Sequence, residues 1–216
     1  MAGAHLPDLL VDKPAQFLRL SRLASVAKLT VRGSYVAEEL DAQLPARGLG
    51  SLAIWDNESI ESLGFLRGRP DLSALELQDC PALRDISALR DLRLTALRLT
   101  GIMHGRLAPH PGVRHLEVGV ENVGRLGELE AWPNLQTLAV QGYCRNPLWI
   151  LRSARGAPRL TRIALGIDSL RELQPVDPLP RVERLIAHRP VGLPGHRRAA
   201  PRFPRPEKAG PGAEDD

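Results

Sequence analysis

Residues Leu72-Ser-Ala-Leu75-Glu-Leu77-Gln-Asp-Cys80-Pro-Ala-Leu83-Arg-Asp-Ile86-Ser-Ala-Leu89 carry two apolar periods within eighteen positions. Leu75 and Leu77 alternate with polar neighbours, so a short strand here has one apolar face. Leu83, Ile86 and Leu89 then fall every third residue, which lines one edge of a 3₁₀ segment with apolar groups. Cys80 stands between the two periods, where the chain turns inward and a small polar side chain can reach backbone of a neighbouring coil. One such strand-and-return coil cannot bury its apolar side alone; it needs copies stacked on it.

Those copies are present. Val26-x-x-Leu29-x-Val31, Leu49-x-x-Leu52-x-Ile54, Leu94-x-x-Leu97-x-Leu99, Val113-x-x-Leu116-x-Val118, Leu135-x-x-Leu138-x-Val140, Leu160-x-x-Ile163-x-Leu165 and a ragged Val182-x-x-Leu185 repeat the phase of Leu72. Successive starts lie 23, 23, 22, 19, 22, 25 and 22 residues apart. Eight anchors at nearly constant spacing predict a solenoid rather than a single amphipathic α/β domain.

The pattern resembles the short leucine-rich repeat class of about 22 residues, as in phosphatase-regulatory subunits. The resemblance covers residues 26 to about 188 and is best in the second and third repeats. There Asn57 and Cys80 hold the turn position, and Ile60, Leu63 and Leu66 repeat the threefold spacing. Ser34, Ile102, Glu121, Tyr143 and Asp168 hold that position elsewhere, which implies irregular turns without a continuous asparagine ladder. The implied fold is α/β: a curved parallel sheet with 3₁₀ or short-helix returns, in about seven to eight repeats. Repeat style and composition are also similar to the degenerate C-terminal repeats of actinobacterial NACHT-type NTPases. Catalytic motifs of that family are missing, so the resemblance carries over ligand detection and no catalysis.

Three segments follow. Residues 1–25 are expected to cap the first coil, with a helix after Pro14 presenting Phe17, Leu18, Leu20 and Leu23; the severed end of a longer chain is the alternative. Residues 26–189 form the solenoid. Its first return, with Val36, Leu40 and Leu44 four apart, is expected to be a true helix, and so is the sixth from Pro147 onward. Residues 190–216 hold six Pro and four Gly with almost no apolar periodicity, and a disordered Pro/Arg-rich tail is expected.

Composition narrows the function classes. The 216 residues are 43% hydrophobic but only 4% aromatic, so leucine carries the packing. Net charge is +4, mildly basic and not the profile of a dedicated nucleic-acid binder. All basic residues but Lys13, Lys28 and Lys208 are Arg, which with abundant Ala, Pro and Gly points to a GC-rich bacterial genome. Two cysteines make no disulfide framework, no apolar run approaches a membrane span of about 20 residues, and no secretory leader is legible. A cytoplasmic protein is expected.

Side chains two, four and six residues past each anchor should project from the concave side of the sheet. In order they are Lys28, Thr30, Arg32, Trp55, Glu76, Gln78, Arg98, Thr100, His115, Glu117, Gln141, Arg162, Arg184 and His188. Trp55 is either partly covered by neighbouring strands or an aromatic anchor for a partner. Mixed signs with one aromatic suit a protein partner better than a uniform polyanion. The residues expected to make that contact are Arg32, Trp55, Glu76, Gln78, Arg98, Thr100, His115, Glu117, Gln141 and Arg162.

Catalytic readings find no support. No Lys is followed by Ser or Thr, and G-x-S-x-G, H-E-x-x-H and C-x-x-C are absent. Gly119-Val-Glu-Asn-Val-Gly-Arg125 faintly echoes a phosphate loop, but Val123, Leu126 and Leu129 are accounted for by the threefold spacing. His104 and His110 lack a carboxylate or thiol at ligand spacing, so no metal and no cofactor are expected. The expected function is a non-catalytic protein-interaction module; the alternative is the sensing region of a NACHT-type signalling NTPase.

Overall fold

The computed structural model describes residues 5–12, 25–102, 107–142, 144, 147–166 and 179–188. Nine strands form one sheet in strictly sequential order, each parallel to the next. They are β1 (His5–Val11), β2 (Ser25–Arg32), β3 (Leu49–Trp55), β4 (Ala74–Gln78), β5 (Ala96–Thr100), β6 (His115–Gly119), β7 (Thr137–Gln141), β8 (Arg162–Gly166) and β9 (Arg184–His188). This is a leucine-rich-repeat-like α/β solenoid, each strand laid down beside the one before it.

The sheet starts one strand earlier than the first anchor at Val26. β1 pairs with β2 in register, Leu9 opposite Leu29 and Val11 opposite Val31. Leu6-x-x-Leu9-x-Val11 carries the repeat's own phase, so the signal was present; Pro7 inside it argues against a central strand and masks it. The helix expected after Pro14, the turn residues Tyr143 and Asp168, His104 and the 190–216 tail lie outside the described residues.

The returns follow the spacing of their apolar residues. α1 (Ala37–Gln43) forms where the spacing is four and buries Leu40, while the following Leu44 closes its C-terminus by donating its N–H to the Leu40 carbonyl. Val36 does not join the core: it sits at the N-terminal boundary of α1, 42% exposed, where its N–H donates to Glu39. Where the spacing is three the returns are 3₁₀, at Gly64–Leu66, Ser87–Asp91, Val120–Arg125 and Leu129–Ala131. α2 (Pro147–Ala154) starts at the expected proline.

One continuous core runs between sheet and returns, built from paired ranks such as Leu52, Leu75, Leu97, Leu116, Leu138 and Ile163. Val123, Leu126 and Leu129 belong to this core, which accounts for the sequence that faintly resembled a phosphate loop. Trp132 is fully buried in it and donates its indole N–H to the Leu126 carbonyl at 3.3 Å.

Five strands, β2 to β5 and β7, exit through a left-handed residue: Gly33, Asp56, Asp79, Gly101 and Gly142 all have positive φ. Aspartate is one of the few residues with a Cβ that visits this region readily. At the position next after Asp56 and Asp79 the turn side chain is buried. Asn57 is fully buried and satisfied on both ends: its amide donates to the Tyr35 carbonyl at 3.0 Å, and its carbonyl accepts from Ser59 and Ile60, each at 2.8 Å. Cys80 in the same position donates more weakly to the Gln78 carbonyl, 3.5 Å from sulfur.

Candidate partner-binding face

The face turned away from the returns carries three ranks of side chains, one per alternate strand position. Register defines them. The first is Asp8, Lys28, Ser51, Ala74, Ala96, His115, Thr137, Arg162 and Arg184. The middle is Leu10, Thr30, Ala53, Glu76, Arg98, Glu117, Ala139, Ala164 and Ile186. The third holds Arg32, Trp55, Gln78 and Thr100, and on later strands Gly119, Gln141, Gly166 and His188.

The middle rank brings three charges side by side. Arg98 on β5 lies between Glu76 on β4 and Glu117 on β6, with N–O separations of 3.2 and 2.8 Å. Glu76 also accepts the indole N–H of Trp55 at 3.1 Å, through the same oxygen that meets Arg98. Glu117 likewise accepts from the side-chain amide of Gln141. Five residues from β3 to β7 thus form one connected network with two carboxylates against one guanidinium.

This changes what the expected contact residues can do. Arg98 and Glu117 are 6% and 8% exposed, and Thr30 is also buried, so these three support the face from below. Trp55, Glu76, Gln78, Thr100, His115 and Gln141 are half-buried and present only part of their surface. Lys28, Arg32, Arg162 and Arg184 are exposed. Arg32 holds Asp56 at 2.7 Å across the strand exits. The centre of the face is thus locked by its own ion pairs, with exposed basic groups toward both ends. Trp55 is partly covered, as one of its two readings has it: its indole nitrogen is engaged by Glu76 and the residue is half-buried.

His115 sits in the first rank beside Thr137, with Arg162 one strand further. Partial burial lowers its pKa from the ordinary histidine value, and the positive charges of Arg162 and Arg114 lower it further. Neutral imidazole is the resulting form at pH 7. His110 lies on the return side, buried. Its Nδ1 accepts from Gly112 N–H and its Nε2 is 3.0 Å from the Leu92 carbonyl, so both ring nitrogens serve backbone. Among the described residues no group of three His, Cys, Asp or Glu is placed to hold a metal ion. Nor, among them, is any helix long and apolar enough to cross a membrane.

Cys80 and Cys144 are both buried, and neither is in a disulfide. Burial pushes the Cys80 thiol up to about 11, against smaller opposing effects of backbone hydrogen bonds. Small residues of the ranks, Ala53, Ala139 and Ala164, were passed over when charge and aromaticity were the criteria. Their alternation with the core leucines is the signal that places them on this face. Compared with protein-family models the chain gives no match, and none of the curated proteins matches it.

Proposed function

We propose that this chain is a non-catalytic protein-interaction module whose partner docks on the face formed by the three ranks, over Trp55, Gln78, Thr100, His115 and Gln141. The observation that carries the reading is the network from Trp55 to Gln141. Side chains that already hold one another lose little rotamer freedom when a partner arrives, and that loss is about 0.5–1.5 kcal/mol for each side chain immobilised on binding. A rigid sheet presenting a fixed pattern of donors, acceptors and one aromatic edge is suited to a partner of complementary shape. Arg162 at one end and Arg32 at the other supply charge that steers the approach.

The test is capture of a partner by the immobilised full chain from a lysate of the organism that encodes it. Trp55→Ala and Thr100→Glu are expected to lose the same partner that wild type retains. Arg90→Glu, exposed on the return side, is expected to keep it. Equal capture by all three variants overturns the assignment to this face.

A further inference from the structure

The two ends of the sheet match each other. Among the described residues, nothing pairs with the outer edge of β1 or of β9. Three of the large hydrophobic side chains left exposed lie on these two strands: Leu10 at 57%, Leu185 at 40% and Ile186 at 44%. Leu185 is in the phase that elsewhere fills the core, opposite Ile163. Exposed strand edges with apolar side chains are templates for pairing with another chain.

We infer that β9 of one copy pairs in parallel with β1 of a second copy, extending the ladder head to tail. If the register of the sheet continues across the junction, Arg184 comes beside Asp8 in the first rank. Ile186 comes beside Leu10 in the middle rank. On the core side, Leu185 meets Leu9 and Ala187 meets Val11. Asp8 and Arg184 are both exposed and of opposite sign. Among the described residues of one copy, the cross-strand neighbour of Arg184 in the rank is Arg162, a like-charge pair. A carboxylate on the other side of Arg184 offsets that repulsion. Pro7 has no N–H to donate, so pairing runs along Asp8–Val11, the stretch whose side chains match.

The contact is heterologous: each copy uses a different edge and keeps its opposite edge open to a further copy. Such contacts build open chains rather than closed dimers. Weight-average mass of the full chain, followed by sedimentation equilibrium from micromolar to millimolar concentration, is expected to rise without stopping at two copies. Asp8→Arg and Arg184→Asp are each expected to weaken association by roughly fivefold, the range of an exposed ion pair. The double variant restores it, and so does mixing the two single variants, because copies that alternate between the two set opposite signs across their junctions. Ile186→Lys, already solvent-exposed and so compatible with folding, is expected to abolish growth while leaving the circular dichroism spectrum unchanged. A monomer at every concentration overturns the inference. So does a mass that stops at a dimer, or association indifferent to the charge swaps or unrescued in the double variant.

Discussion

Replacing Arg98 with Met tests whether the middle rank is held together as described. Methionine keeps the unbranched apolar stem of the side chain but removes the guanidinium. Glu76 and Glu117, with 18% and 10% of their side chains exposed, then face each other across two strand spacings, about 10 Å, with no cation between them. Breaking a buried pair from one side costs about 3–5 kcal/mol, because a desolvated charge is left uncompensated. Here Glu76 keeps the bond from Trp55 and Glu117 keeps the bond from Gln141, so the lower end applies, about 3 kcal/mol. Replacing all three, Arg98→Met with Glu76→Gln and Glu117→Gln, removes every charge at once and is expected to recover most of the loss. Urea unfolding followed by tryptophan fluorescence and by circular dichroism measures both variants. Because stability in a stacked array is local to neighbouring coils, hydrogen exchange should accelerate in β4–β6 more than in β2. An Arg98→Met protein within about 0.5 kcal/mol of wild type, the scatter of ordinary surface substitutions, refutes the reasoning. A triple variant no more stable than the single one also refutes it.

Asn57→Ala removes three hydrogen bonds and strands buried backbone groups of two coils, so a loss of about 2–3 kcal/mol is expected in the same unfolding assay. His115 has a folded-state pKa below its unfolded value, so the unfolded chain binds more protons in between and stability falls as pH drops below about 6.5. His115→Gln should flatten that limb, and Arg162→Gln should raise the titration midpoint seen by NMR; an unchanged midpoint counts against the charge effect. Cys80, with its thiol held at about 11 and no exposed surface, should resist alkylation at pH 8 until urea unfolds the chain. Labelling of Cys80 at the rate of a free thiol in the native protein contradicts its placement.

Much of the architecture was legible because strand and return impose different periods on the same leucines. Alternation at Leu75 and Leu77 could be satisfied only by a strand with one buried face, and threefold spacing at Leu63 and Leu66 only by a tight return. Helical returns were equally legible at Leu40 and Leu44 and at Pro147. β1 was missed although Leu9 and Val11 carry the pattern, since a proline in a strand is tolerated only at an edge, and edges are not marked in a sequence. Val36 shares the fourfold spacing of Leu40 and Leu44, yet its place at the start of α1 leaves it exposed.

Which residues share the open face followed from the chain by itself, since side chains two apart on a strand must point the same way. Whether those side chains are available was decided by register. Glu76, Arg98 and Glu117 are separated by 22 and 19 residues, and unequal return lengths could have slipped them past one another. Only the folded sheet sets them abreast, close enough for attraction between opposite charges to draw Arg98 down among its neighbours and for Trp55 and Gln141 to close the chain of bonds at either end. Local periodicity is a property of consecutive residues, whereas electrostatic pairing depends on distance between strands, and that distance exists only once the coils are stacked.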